Sequence, residues 1–345
     1  MATSSRSRPS RVARTPRSLR RAVVRAAAAL VALALAVWLA DALSLAGLLA
    51  PATAAPVHPV SALAFAPGAR VPRARHVFLI IMENRSASAI LHGTDDPYLR
   101  SLARRYVTAT AYDATAHPSL PNYLALFAGS TFGIRSDYAP PTLRARNLVD
   151  ALAAARRSFG AYMEGLPAPG WLGALYLPGL YAGRHDPFRY FTDIRRSAAR
   201  RGRIQPLSAL WPALRDGRAP SLVWITPNLC HDMHSCPTLT GDAWLRLVVP
   251  RILASSAWRR GGILFIVWDE GVGTSPGGPG RGGRVALYVI APGLRPGARL
   301  TAPSDHYGLL HTIEAALGAR CVGQSCAAPT LDLRSVAEAA AAAGA

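Results

Sequence analysis

Five short apolar runs recur along the chain, and each stops abruptly at polar or turn-forming residues. They are His76–Met82, Phe159–Met163, Leu222–Thr226, 263–268 and 285–290. Apolar runs this short, without polar alternation, are the pattern of strands covered on both faces, as in a parallel sheet. A further strand is expected over 107–112. Helix-like segments fall between the runs, over 97–106, 118–128, 143–156, 207–214, 242–255 and His306–Leu317, the first with Pro97 in its opening turn. Strands alternating with helices predict an α/β fold with a mostly parallel central sheet flanked by helices.

The 345 residues carry a formal charge of +20, and all 39 basic residues are Arg. Such a charge raises nucleic acid as a partner. Eight of the Arg residues, however, lie in the first 25 positions, and beyond them Arg alternates with Asp and Glu without a basic, aromatic-flanked stripe. An all-Arg complement fits a GC-rich coding sequence, and no nucleic-acid partner is expected.

The basic tail leads into an apolar stretch over 26–40, broken by Asp41 and resumed over 42–50, and then into Ala52-Thr53-Ala54. That is the layout of an export signal with a small-residue cleavage site. An uncleaved anchor is the alternative. The stretch before Asp41 falls short of the about 20 residues a span needs, and extending it puts a carboxylate in the membrane. Either way the body is expected outside the cytoplasm, secreted or in the cell envelope, with any membrane contact falling to the N-terminal segment. The close pairs Cys230/Cys236 and Cys321/Cys326 agree, since an even count in an exported chain predicts local disulfides. A zinc site of Cys230, His231, His234 and Cys236 is the rival reading, but its spacing fits no familiar pattern. The expected organisation is signal or anchor over 1–54, a Pro/Ala-rich linker over 55–75, one main domain over 76–336 and an Ala-rich tail over 337–345. The Gly-rich stretch 271–283 lacks the Lys-Ser/Thr ending of a phosphate loop and reads as a mobile loop beside the site.

In open α/β sheets, ligands bind outside the carboxyl ends of the strands. Glu83 and Asn84 follow the first run, Asn228, His231, Asp232 and His234 follow Thr226, Asp269 and Glu270 follow Trp268, and His306 opens the last helix. Carboxylates, an amide oxygen and imidazoles on one edge are a hard-to-borderline metal set. Ser119, taken alone, reads as the N-cap of the 118–128 helix. A helix N-terminus also suits a phosphate, and a metal beside the hydroxyl would make its alkoxide accessible.

Seven segments stand in order along the chain. They are Ile80–Arg85, His117–Tyr123, Tyr162–Pro167, Arg184–Phe188, Asn228–His234, Trp268–Gly271 and Asp305–Gly308. Together they resemble the bacterial phosphoesterase family of acid phosphatases and phospholipases C, within the alkaline-phosphatase superfamily, from about Arg75 to Gly318. The resemblance implies that 76–336 is a phosphoesterase domain in which Ser119 attacks phosphorus and forms a phosphoenzyme. It implies that Asn122 holds a phosphate oxygen, and that His117 and His185 contact phosphate or transfer protons. It assigns Glu83, Asn84, Asp269 and Glu270 to one divalent metal, and Asp232, His234 and His306 to a second. Two-metal members usually carry His where this chain has Glu270, so one metal or two, of unassigned identity, are both expected. The implied substrate is a phosphate ester, whether monoester, diester or phospholipid. A phosphoglycerol- or phosphoethanolamine-type transferase is an alternative, disfavoured by the single N-terminal apolar segment. A non-catalytic envelope phosphate-binding protein is another, disfavoured because Ser119, Asp269 and Glu270 are all present.

Overall fold

The apolar runs form strands, and the polar residues after them gather at one edge. The structure, a computed structural model, describes residues 60–140, 142–271 and 282–339. The main strands are β1 (His76–Met82), β2 (Val107–Ala109), β3 (Phe159–Met163), β4 (Ile204–Pro206), β5 (Leu222–Thr226), β6 (Gly262–Trp268), β7 (Leu287–Ile290) and β8 (Arg299–Leu300). Among the described residues they make one sheet in the order β8-β2-β7-β6-β1-β5-β3-β4. Only β7 pairs antiparallel, with β6 and with β2; β1 is central and pairs parallel with β5 and β6. The α/β expectation therefore holds, with a single reversed strand. The expected 107–112 strand is split, because Tyr112–Asp113 leaves the sheet to pair with Ser304–Asp305.

The main helices are α1 (Pro97–Arg105), α2 (Ser119–Ala128), α3 (Leu148–Ala154), α4 (Thr238–Ala254) and α5 (His306–Leu317). Every residue of α2 is buried, which is why its sequence is apolar all round instead of striped. It ends at Gly129, where φ is +64° and a Cβ would sit 2.1 Å from the Val322 carbonyl oxygen, so no residue with a side chain fits there. Truncating a core residue such as Leu124 should cost about 2–5 kcal/mol.

The expected linker is partly integral. Leu63 and Phe65 are buried, Ala74 N–H donates to Ala316 O, and Ser61 N–H donates to Arg259 O. Both expected disulfides are formed, Cys230–Cys236 and Cys321–Cys326, so no thiolate is left for the rival zinc site. No helix among the described residues is long and apolar enough to cross a membrane. The expected signal or anchor lies outside the described residues, as do most of the Gly-rich stretch and the end of the Ala-rich tail.

Candidate active site

Two neighbouring parallel strands, β1 and β6, end side by side at Met82 and Trp268. The next residues, Glu83 and Asp269, therefore emerge together, and both are fully buried. The backbone ties them into place: Asp269 N–H donates to Met82 O, Asn84 N–H donates to Asp269 Oδ1 at 3.0 Å, and Glu83 N–H donates to Asp232 O at 2.8 Å. Asp232 comes from the loop after β5, which the Cys230–Cys236 disulfide closes.

Ser119 opens α2 beneath these carboxylates and is nearly inaccessible. Its Oγ lies 3.0 Å from Glu83 Oε2 and 3.2 Å from Glu270 Oε1, able to donate to one at a time. Tyr123, one turn on, donates its hydroxyl to Glu83 Oε1, and its ring stacks on His185 at 5.2 Å with 8° between the planes. His185 sits between two acids, with Nε2 3.2 Å from Glu83 Oε2 and Nδ1 3.5 Å from Asp232 Oδ2. At the mouth, His117 is 40% exposed at its side chain and contacts Glu270 Oε2 through Nδ1.

The charges do not balance. Burial pushes Glu83, Asp232 and Asp269 well above the usual carboxylate range. Each is pushed further by a neighbour: Glu83 by Asp232, Asp232 by Asp269, and Asp269 by Glu83 and Glu270. Burial, helped by Arg184 and His234, drives His185 well below the usual imidazole range. The acids are thus shifted up and the imidazole down, both toward their neutral forms. His185 Nε2, Asp232 Oδ2 and Asp269 Oδ2 are buried and make no hydrogen bond, a cost of about 1–3 kcal/mol for each such group. A cation bound here would remove both costs at once. Glu83, His185 and Asp232 each offer a ligand atom within 4.8 Å of the others, and oxygen donors with one imidazole suit a hard or borderline divalent ion. The residues fit the expected metal.

The sequence-derived set divides. Glu83, Asp232, Asp269, Glu270, His117 and Ser119 converge, and His185, expected to contact phosphate or transfer protons, lies between Glu83 and Asp232. Four others bond to other groups, and three of them, all but Asn84, have both of their side-chain polar atoms engaged. His306 spends both ring nitrogens, Nε2 on Asp269 O at 2.6 Å and Nδ1 on the Tyr112 hydroxyl at 2.8 Å, and burial lowers its pKa to about 4. It positions the Asp269 backbone. Asn84 Oδ1 accepts from Arg85 Nη1. His234 Nε2 accepts from Arg184 Nη2 at 3.1 Å, and its Nδ1 lies 3.0 Å from Ser235 Oγ. Asn122 uses its whole amide on the preceding loop: Oδ1 accepts from Thr115 and Ala116 N–H, and Nδ2 donates to Ala116 O and Pro118 O. It shapes the approach to Ser119 and has no group left for a phosphate oxygen.

Two supporting residues fall outside the sequence-derived set. Glu164 accepts from Asn228 N–H, His231 Nδ1 and Trp244 Nε1, anchoring the loop that carries Asp232. Asp137 accepts from the Leu120 N–H at 3.0 Å. Glu164 lies within the Tyr162–Pro167 segment, which is its one signal, and Asp137 has no local signal at all.

Known proteins resemble this chain in sequence and in fold. A phosphatidylinositol-3-phosphatase of Mycobacterium tuberculosis is 31% identical over 264 residues, covering 76% of this chain and 83% of that one. A phosphate-repressible acid phosphatase of Penicillium chrysogenum is 27% identical over 51% of this chain and 44% of its own length. An acid phosphatase of Aspergillus fumigatus is 26% identical over 63% and 48%; the chain thus spans about half the length of these fungal relatives. Among solved structures, the lipoteichoic acid synthase LtaP of Listeria monocytogenes superposes with a TM-score of 0.51 at 9% identity, over 76% of each chain. That likeness, shared with a Bacteroides thetaiotaomicron sulfatase at 0.50, shows the alkaline-phosphatase-like fold. Residues 88–319 match the sequence model described as the Phosphoesterase family, and the chain belongs to that family, as a hydrolase of phosphoric ester bonds.

Proposed function

We propose that the protein is an exported, metal-dependent phosphoesterase that works through a phosphoserine on Ser119. The observation that carries this reading is a hydroxyl at the start of a buried helix, within hydrogen-bond reach of two carboxylates, beside buried donor atoms that have no partner. Glu83, His185, Asp232 and Asp269 would hold the metal. Once bound, it would supply Lewis-acid stabilisation of the serine oxygen and of a non-bridging phosphoryl oxygen. Export is supported by the basic-then-apolar N-terminus and by the two disulfides, which persist in oxidising compartments.

In the first step Ser119 Oγ bonds to phosphorus and the bond to the leaving oxygen breaks. The serine proton passes to Glu270, and the leaving alkoxide takes a proton from His117, which shares a hydrogen bond with Glu270 at the mouth. In the second step water attacks the phosphoserine, gives its proton back along the same pair, and Ser119 leaves as the free hydroxyl. Asn122 keeps the loop before Ser119 in shape, and Tyr123 fixes both Glu83 and His185. Acid quenching during turnover of a chromogenic phosphate monoester, followed by peptide mass spectrometry, should find one phosphoryl group on the peptide holding Ser119. Turnover with the phosphoryl group trapped on a different residue overturns the reading.

A lipid phosphate ester is a second reading of the substrate, favoured by exposed apolar side chains around the same edge. Tyr138 is 95% exposed beside Asp137, and Leu177 is 60% exposed on a hairpin whose Leu180 carbonyl accepts from Leu229 N–H. Leu239 is 53% exposed just after Cys236. A side-by-side assay of a soluble monoester, a soluble diester and phospholipid vesicles separates the classes.

A further inference from the structure

The first turn of α2 is short of amide hydrogens. Pro118 caps it and Pro121 is its third residue, and neither has an N–H. The turn presents the amides of Ser119 and Leu120, and the second is taken: Leu120 N–H donates to Asp137 Oδ1 at 3.0 Å. The other oxygen of Asp137 lies 3.6 Å from Arg184 Nε. That nitrogen is buried and makes no hydrogen bond, while Nη2 of the same guanidinium donates to His234. A carboxylate thus occupies the helix end beside Ser119 and neutralises the cation at the mouth, two features that would otherwise receive an anionic phosphoryl group. Asp137 comes from a surface segment, flanked by exposed Ser136 and Tyr138, so its side chain can swing away at little packing cost. Its charge reaches Glu270 and His234, on either side of the approach.

We propose that Asp137 is a resident anion that the substrate must displace: it holds the Leu120 amide and Arg184 until a phosphoryl group takes both, and so sets how much negative charge a substrate needs. The inference rests on the reading of Ser119 as the phosphoryl acceptor. A dianionic monoester competes with a carboxylate better than a monoanionic diester does, so Asp137 is a specificity-determining residue. The alternative role is a remote structural cap for α2.

The test uses the full protein with divalent metal, and inorganic phosphate as the probe. Phosphate affinity is measured by calorimetry and by inhibition, with KM and kcat for a monoester and a diester, in Asp137→Asn, Asp137→Ala and Arg184→Gln. Asp137→Asn keeps an acceptor for Leu120 and removes only the charge, which guards against misfolding. Both Asp137 variants should bind phosphate about three- to tenfold more tightly, with KM falling in step and the diester gaining on the monoester. Arg184→Gln should bind phosphate more weakly. A pure cap predicts a lower melting temperature with phosphate affinity unchanged or weaker, and that result overturns the proposal. If the unaltered protein neither binds phosphate nor cleaves phosphate esters, the functional reading falls as well. If it does both and the Asp137 variants match it, only this inference falls.

Discussion

Two disulfide loops attend the two ends of α2, and each covers a buried carboxyl group. The Cys230–Cys236 loop carries Asp232 to the cluster around Ser119 at the helix start. The Cys321–Cys326 loop packs on the helix end, where Gln324 N–H donates to Gly129 O, and seals Glu314 of α5. Burial raises both carboxyls, Glu314 to about 8. Their partners differ. Glu314 Oε1 accepts from Val322 N–H at 2.9 Å, and its other oxygen lies 2.8 Å from Ser325 Oγ, which is also 2.7 Å from Val322 O. Ser325 has one proton for two acceptors, so a protonated Glu314 that donates to Ser325 completes the set: the serine proton then goes to Val322 O. Asp232 has an oxygen with no hydrogen-bond partner, and the charge of Asp269 adds to its pKa rise. A raised carboxyl pKa is therefore no mark of function in itself. What separates the two loops is whether the neutral form is fully satisfied by protein groups.

The largest effect that could break this contrast is at Ser119. Ser119→Ala should lower turnover of a chromogenic phosphate ester by about three orders of magnitude or more with circular dichroism unchanged, while Glu314→Gln should leave turnover within about twofold. Full activity of Ser119→Ala would end its assignment as nucleophile. Next comes metal. Stripping with a chelator should abolish activity, and adding back a divalent ion should restore it and raise the melting temperature by several degrees. Glu83→Gln and Asp232→Asn should lose that ion-dependent rise, whereas Glu314→Gln keeps it. An equal rise in all variants would place the ion elsewhere.

The third effect depends on pH and is read at Glu314 by comparing its variant with the parent. Its folded pKa of about 8 stands above the ordinary 4.5, so below 4.5 both states are protonated and the group contributes nothing to pH dependence. Between those values the unfolded chain gives up the proton and the folded one keeps it, so stability falls as pH rises, and the loss levels off above about 8. Urea midpoints measured from pH 5 to 9 should fall less steeply in Glu314→Gln than in the parent; parallel curves would show that Glu314 ionises normally. The smallest effect is expected from Tyr112→Phe, which removes the hydrogen bond to His306 Nδ1. It should cost about 1 kcal/mol of stability and lower kcat modestly by loosening the Asp269 backbone. A drop as large as that of Ser119→Ala would make His306 more than a positioning residue.

Much of the fold is legible in the sequence. β1, β3, β5 and α5 fall where the apolar runs and the helix-like segment His306–Leu317 put them, because a strand buried on both faces leaves a continuous hydrophobic signature. The 143–156 helix is shorter, Leu148–Ala154, since Asn147 caps it in a box with Asp150 and Leu143 bridges instead to Phe191. The short hairpin Leu175–Tyr176/Tyr181–Ala182 leaves no such signature, because its outer strand is exposed and lacks alternation. At the site, the carboxylates after β1 and β6 are legible from their place directly after strands. The uses of Asn122, His234 and His306 are not, because a polar side chain's role is set by which donors and acceptors lie in reach.

What the sequence determined by itself is the edge: which residues leave the ends of the buried strands, and that acids, imidazoles and one serine at a helix start are among them; the N-cap expected at Ser119 is Pro118, and the Ser119 hydroxyl faces Glu83 and Glu270 instead. Apolar periodicity and chain direction suffice for the edge. Only the tertiary structure decided which of them are spent. It brought His185 from an irregular segment between Glu83 and Asp232, turned His306 to a carbonyl, and set Asp137 on an amide next to Ser119. Those contacts join residues far beyond neighbouring positions, 17 apart for Leu120 and Asp137 and 37 for Asp269 and His306, and hydrogen bonds act over about 3 Å, so no local pattern could have encoded them.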